Sequence, residues 1–359
     1  MPNYCSNQGR FGLTDAEVSI LISAHAAYVD VHHIDANPFL VPALTELMLS
    51  NWFLRAAAVD NGWYAVCWSP ELGLFVSVSA TGTGDRVMTS PNGITWTTRV
   101  SSDDNNWYGV CWSPELTLFV AVATSGSDDR VMTSPDGINW TTRSPVGENF
   151  WNSVCWSPEL TLFVAVANSG TNDRVMTSPN GITWTARAPA TDNDWFDVCW
   201  SPELTLFVAV ASSGTDTRVM TSPDGINWTT RVSSDDNDWR SVCWSPELTL
   251  FVAVANGGTD NRVMTSPNGI DWTTRVSASN NDWRSVCWSP ELSMFVAVSD
   301  SGSGNRVMTS PDGINWTARA SAGNFSWRSV CWSPELSMFV GVSYSGGGFN
   351  VMTSLFRGL

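Results

Sequence analysis

The heptapeptide Val-Cys-Trp-Ser-Pro-Glu-Leu begins at Val66, Val110, Val154, Val198, Val242, Val286 and Val330, an unbroken spacing of 44 residues with no insertion in any copy. A chain that repeats one unit this strictly cannot bury each unit alone. Neighbouring copies must stack and share a core, which restricts the fold to a repeat architecture. All 21 tryptophans keep the same register, three per unit, as with Trp63, Trp68 and Trp52 or Trp107, Trp112 and Trp96. Tryptophan therefore belongs to the scaffold.

Each unit reads as four short strands separated by turn signals. In the second unit they are expected at about 107–112, 118–123, 130–134 and 139–143. The second of these, Leu-Phe-Val-Ala-Val-Ala, is apolar on both faces, as a sheet covered on both sides requires. Pro, Gly and β-branched residues recur within every unit and no 3.6-residue period survives, so helical repeats are excluded. A ring of small sheets, each covered by two neighbours, is the propeller solution. The ends of the repeat fit it. The seventh unit stops at VMTSLFRGL without the segment for an outermost strand, while residues 51–55 carry a spare one, 11 residues ahead of Trp63. Pairing the two removes both exposed edges. The expected fold is all-β: a seven-bladed β-propeller of four-stranded blades over 51–359, its ring closed by an N-terminal strand, after a small, partly helical segment over 1–50. In that segment Thr14-Asp15-Ala16-Glu17 forms a capping-box pattern ahead of one amphipathic stretch, and a second short helix is expected within NPFLVPALTELML.

The formal charge is −16, and all 18 basic residues are arginines with no basic run among them, which argues against a nucleic-acid partner. No stretch offers about 18 consecutive apolar residues for a membrane span, and the first residues lack the cationic and apolar runs of a signal peptide. Seven of the eight cysteines, Cys67, Cys111, Cys155, Cys199, Cys243, Cys287 and Cys331, occupy one site per unit, and Cys5 lies in the N-terminal segment. Equivalent sites on adjacent blades should stand farther apart than the roughly 4.4–6.8 Å Cα separation of a disulfide, so they read as small buried thiols. CxxC pairs and zinc spacings are absent. His25, His32, His33, Asp30 and Asp35 read as polar positions of a docking segment, and no metal or cofactor is expected. Glu71, Glu115, Glu159, Glu203, Glu247, Glu291 and Glu335 follow the first strand of each unit and read as caps of their own turns. Arg86, Arg130, Arg174, Arg218, Arg262 and Arg306 open the third strand and read as tethers for neighbouring loop acids, with Asn350 replacing them in the seventh unit.

The segments SPDGINW and SPNGITW resemble the Asp-box of sialidase-like propellers, Ser-x-Asp-x-Gly-x-x-Trp, and the likeness runs over residues 52–359. Asp136 is followed directly by Gly137, one residue short of that pattern, and Asn92, Asn180 and Asn268 replace Asp in three boxes. The resemblance implies a structural hairpin between the third and fourth strands, and the residues agree: Pro presets φ, Asp or Asn tolerates the turn, Gly takes positive φ. Similar SPDGxxW repeats occur in phage and bacterial proteins. Sialidase chemistry needs an arginine cluster, a tyrosine nucleophile with a glutamate partner and an aspartic acid at non-repeating positions. The glutamates here are almost all scaffold repeats, so the expectation is no enzyme, with a sialidase-like hydrolase the less favoured reading.

Two segments change from copy to copy, the connection before the first strand and the loop between the second and third. In an up-and-down blade both emerge on one face of the disc, as in a binding protein. The most diverse series directly follows the first tryptophan of each unit: Tyr64, Tyr108, Asn152, Phe196, Arg240, Arg284 and Arg328. Tyr64, Tyr108, Phe196, Arg240, Arg284 and Arg328, with Tyr344 and Phe349 from the seventh unit, are the candidate ligand-binding residues, the arginines for an anionic group such as a sugar carboxylate. Against this stands local neutralisation of Arg240 by Asp238 and of Arg284 by Asp282, while Arg328 has no acid two residues before it. A short N-terminal segment followed by a repetitive recognition disc resembles the layout of phage and virus surface fibres, so the expected function is recognition on a virion surface, of a host glycan or protein or of a neighbouring structural protein, with residues 1–50 attaching to other virion proteins or forming a homo-oligomer. The alternatives are a cytoplasmic interaction scaffold and a cellular lectin.

Overall fold

The computed structural model describes residues 49–354, which form seven four-stranded antiparallel sheets set around a channel. Strands are numbered β1 to β28 along the chain. The second blade consists of β6 (Trp107–Ser113), β7 (Leu118–Ala123), β8 (Val131–Ser134) and β9 (Thr141–Arg143), paired in that order. The second strand falls where the sequence places it. The third begins at Val131 because Arg130 turns aside, its Nε donating to Gly126 O at 2.9 Å. The fourth is shorter than expected because Asn139 belongs to the preceding hairpin. There Asp136 Oδ1 accepts from the backbone N–H groups of Ile138 and Asn139, both at 2.8 Å.

The ring closes as the sequence predicts. β1 (Trp52–Arg55) pairs antiparallel with β28 (Val351–Ser354), so the order of the last blade is β1-β28-β27-β26, with β26 at Trp327–Ser333 and β27 at Met338–Ser343. Leu49 and Trp52 are buried in the core of this blade, and the Trp52 indole donates to Leu49 O at 3.0 Å. The expected helices, Cys5 and the N-terminal histidines lie outside the described residues.

Core packing lies between blades. Val120 and Val122 of β7 meet Trp151, Trp156 and Phe163 of the third blade, and Met338, Val340 and Val342 of β27 meet Trp63 and Phe75 of the first. Within a blade Phe119 lies between Trp112 and Trp140, at centroid separations of 4.4 and 6.3 Å. Large aromatic area shared across seams explains why a small sheet with a strand of only three residues is held.

The repeated glutamates take a different role from the one expected. Trp112 Nε1 donates to Glu71 Oε2 of the preceding blade at 2.7 Å, and the same clip recurs at every seam, ending with Trp68 to Glu335 at 2.6 Å. Each turn is capped instead by its serine, as where Ser113 Oγ accepts from Leu116 N. The indole N–H at a blade edge needs an acceptor, and the glutamate is long enough to reach it across the seam. The Asp-box also spans a seam. Gly137 sits at φ 71°, and a Cβ there would stand 2.9 Å from Val76 and 3.0 Å from Leu74 of the preceding blade.

Candidate functional site at the channel mouth

The inner strand of every blade carries a register shift directly after its first tryptophan. Trp107 pairs with Ala123 and Gly109 with Val122, which leaves Tyr108 outside the ladder. A bulge re-aims the residue it displaces. Repeated seven times, it brings Tyr64, Tyr108, Asn152, Phe196, Arg240, Arg284 and Arg328 to the wall of one cavity of about 240 Å³ at the end of the channel. Arg130 pairs with Glu148 at 2.9 Å and Arg174 with Asp194 at 2.9 Å, so the two variable loops of each seam meet at this end and the third-strand arginines tether loop acids as expected. In the last blade Asn350 replaces the arginine and donates to Asn61 O.

The wall has two halves. On one side Tyr64 and Tyr108 stack with centroids 3.7 Å apart, Tyr344 meets Tyr64 edge-on at 6.4 Å, and the Arg328 guanidinium lies 5.4 Å from the Tyr64 ring and 5.6 Å from Tyr344. Arg240 covers Phe196 at 3.9 Å. Of the two local pairings the sequence suggests, Arg240 with Asp238 forms and Arg284 with Asp282 does not. Asp282 pairs with Arg262 at 2.8 Å rather than with Arg284. Asp238 reaches Arg218 at 3.4 Å and Arg240 only at 3.8 Å. The counter-ion for both remaining arginines is Asp300, from the loop after the second strand of the sixth blade. Its Oδ2 lies 2.7 Å from Arg284 Nε and 3.0 Å from an Arg328 terminal nitrogen. The orientation that satisfies Asn256 points its nitrogen at Asp238 Oδ2 and its oxygen at the Arg284 guanidinium, 3.0 Å away. Burial, then the neighbouring Arg284, pushes the Arg240 pKa down, against the pull of Asp238. Asp300, and an Asp238 shared with Arg218, still leave this arc of three guanidiniums net positive, and among the described residues the buried Arg328 Nε has no hydrogen-bond partner.

One residue deeper, the inner strands carry Ala65, Gly109, Ser153, Asp197, Ser241, Ser285 and Ser329. The serines stitch blades together: Ser241 Oγ accepts from Val286 N and Ser285 Oγ from Val330 N. Gly109 is required because a Cβ would stand 2.9 Å from Asn152 O of the next blade. Asp197 breaks the series. It accepts from Ser153 Oγ at 2.6 Å, Val198 N at 2.9 Å and Val242 N at 2.9 Å, which ties the third, fourth and fifth blades. Burial still pushes its pKa up despite these donors, and among the described residues it forms no ion pair. Next along the strands come the seven cysteines, all unbridged and partly exposed rather than fully buried. Burial, then neighbouring thiols and Asp197, holds Cys155, Cys199 and Cys243 well above the usual thiol range, which makes them poor nucleophiles. Among the described residues no three His, Cys, Asp or Glu side chains form a metal-ligand set.

Six of the eight candidate residues therefore line the cavity, and Tyr344 stands beside it against Tyr64 and Arg328. Phe349 does neither and is 53% exposed. Sequence reasoning missed Asp300, Asn256 and Asp197. The signal was present, since Asp197 stands where four other blades carry Ser, and Ala80, Thr124, Asn168, Ser212, Asn256, Asp300 and Tyr344 form a second fully diversified column. It also missed Asn61, Asn105, Asn149, Asn193, Asn237 and Asn281, which sit inside the variable connections yet make one fixed bond, as where Asn105 donates to Asp129 O.

No family model matches the chain, and no curated protein matches it. Solved structures do. A streptogramin B lyase structure superposes with a TM-score of 0.71 at 7% identity, covering 86% of this chain and 99% of that one. YCF48 bound to a D1 peptide gives 0.61 at 15% identity, over 91% and 97%. The β-propeller domain of Myceliophteria thermophila Cps50 (Swd1) gives 0.60 at 10% identity, over 85% and 98%. At these identities the likeness establishes the propeller fold alone.

Proposed function

We propose that this chain is a non-catalytic recognition propeller that takes the carboxylate of an acidic surface glycan into its channel mouth. The observation that carries this is the arc of Arg240, Arg284 and Arg328, three guanidiniums on consecutive blades of which the last two share Asp300, inside a walled cavity with aromatic rings beside it. Arginine presents a planar fork that suits carboxylate oxygens, and ring faces suit the C–H faces of a sugar. In a protein with a formal charge of −16, a positive arc confined to one cavity also selects where an anion docks. On the layout resemblance to phage fibre proteins we place it on a virion surface, and tail or capsid genes on both sides would support that setting. A second reading, a peptide end in the same mouth, is favoured by the similar YCF48 propeller having been solved with a peptide. Calorimetry on the protein and on the Arg284→Ala/Arg328→Ala variant tests the site, and glycan and peptide arrays separate the two ligands. One site per chain, lost in the variant, is expected. Seven equivalent sites, or unchanged affinity, would overturn it.

A further inference from the structure

The mouth is polarised across its width. The arginine arc occupies the fifth to seventh blades. Next to it the third and fourth blades carry two acceptors: Asp197, a half-buried carboxylate with no ion pair among the described residues, and Asn152, 6% exposed, whose Oδ1 has no hydrogen-bond partner there. The Asn152 amide is locked in this orientation, because its nitrogen donates to Trp195 O at 2.8 Å. A ligand that brought only a carboxylate would satisfy the arc and leave an anion without a cation and a bare carbonyl oxygen on the adjoining wall. Both are costly when shut away from water.

Resting on the reading above that the mouth takes a carboxylate, we infer that the seated unit is a zwitterion, with its carboxylate on the arginines and an amino group facing Asp197 and Asn152. The chemistry is that of an amino-sugar acid or of an amino acid. The departure from the repeat supports it. Ser at position 197 would stitch the seam as Ser241, Ser285 and Ser329 do, so the structure does not need a charge there.

The test is calorimetry on the full chain with four probes: galacturonate, which carries only a carboxylate; glucosamine, which carries only an amine; muramic acid, which carries both on a sugar; and 4-aminobutyrate, which carries both without one. At least one zwitterion should bind about tenfold or more tighter than galacturonate, the least that a buried opposite charge at short range supplies. Asp197→Ser, a substitution the repeat itself makes, should erase that gain while galacturonate binds at least as tightly as before, with Asp197→Asn as the shape-preserving check. A gain for muramic acid alone identifies the sugar, and a gain for 4-aminobutyrate alone the amino acid. Galacturonate binding with no gain from the amine, or a gain that survives Asp197→Ser, overturns this inference and leaves the proposed function standing. Failure of every carboxylate probe to bind overturns both.

Discussion

At the turn end of the disc each seam is made by the same Trp–Glu clip, repeated seven times at 2.6–2.7 Å. At the mouth the equivalent positions are Tyr, Tyr, Asn, Phe, Arg, Arg and Arg, so the seams change around the ring. Backbone geometry is the same at both ends, because every inner strand carries the same bulge. The difference lies in what each end is asked to do. A clip that closes a seam works equally well in every blade, so drift away from it only costs stability. A bulge that projects a side chain into a shared cavity leaves the scaffold indifferent to what is projected, and diversity can accumulate there.

The sharpest way to break the symmetric end is to reopen the ring. Removing residues 1–58 deletes β1 and bares the edge of β28, together with the pocket that holds Trp52. Removing residues 1–48 leaves Leu49, Trp52 and the pairing intact. The longer truncation should lose more than the about 3–5 kcal/mol that deleting one buried Trp costs, and the shorter one far less. Thermal melting of both decides it, and equal stability would mean that β1 does not close the ring.

A single clip should matter less, and equally in every blade. Replacing Glu203 by Ala strands the Trp244 indole N–H at the seam and should cost about 1–2 kcal/mol. The same change at Glu71 or Glu335 should cost the same within about 0.5 kcal/mol, since the sites are distant and alike. Urea unfolding of the three variants measures it, and unequal losses would show that the seams are not equivalent.

At the mouth the corresponding change should act on binding more than on folding. Asp300→Asn preserves shape but removes the carboxylate that Arg284 and Arg328 share. The arc gains one unit of positive charge, so the expected result is tighter binding of galacturonate by a few-fold, with a stability loss of about 1 kcal/mol. Weaker binding would show that Asp300 positions the guanidiniums more than it masks them.

How much of this was legible beforehand follows the same division. The period, the blade count, the strand that closes the ring and most of the mouth residues could be read directly, because a strict repeat makes its own alignment. The clips could not. Glu71 and Trp112 are 41 positions apart, and only the stacking of blades brings them together. The pairing of Asp300 was hidden for a related reason: sequence proximity pointed to Asp282 for Arg284, whereas the bulge turns Arg284 toward the loop of its own second strand. Asp197 was passed over because it sits inside the repeated strand, where variation is less expected.

The constant end varies in one respect, and that yields the smallest effect. Three boxes carry Asp136, Asp224 and Asp312, each paired with an Asn three residues on; the others carry Asn92 and Asn180, with Thr at that place, and Asn268, with Asp271. Burial works against the charge on Asp136 and Asp224, but the N–H groups of the next turn outweigh it and hold both at about 2; Asp312 is lowered for the same reasons. A carboxyl held below its ordinary value stabilises the fold while ionised. That contribution is complete above the ordinary aspartate value of 3.8 and disappears as pH falls through about 2. The three asparagine boxes contribute nothing to this slope. Changing Asp136, Asp224 and Asp312 together to Asn should therefore leave stability near neutrality almost unaltered and flatten its decline between about pH 4 and pH 2, with only a modest change because the groups are partly exposed. Urea midpoints of the protein and the triple variant at about pH 5, 3.5 and 2 test it: parallel profiles would mean that the aspartate boxes are electrostatically no different from the asparagine ones.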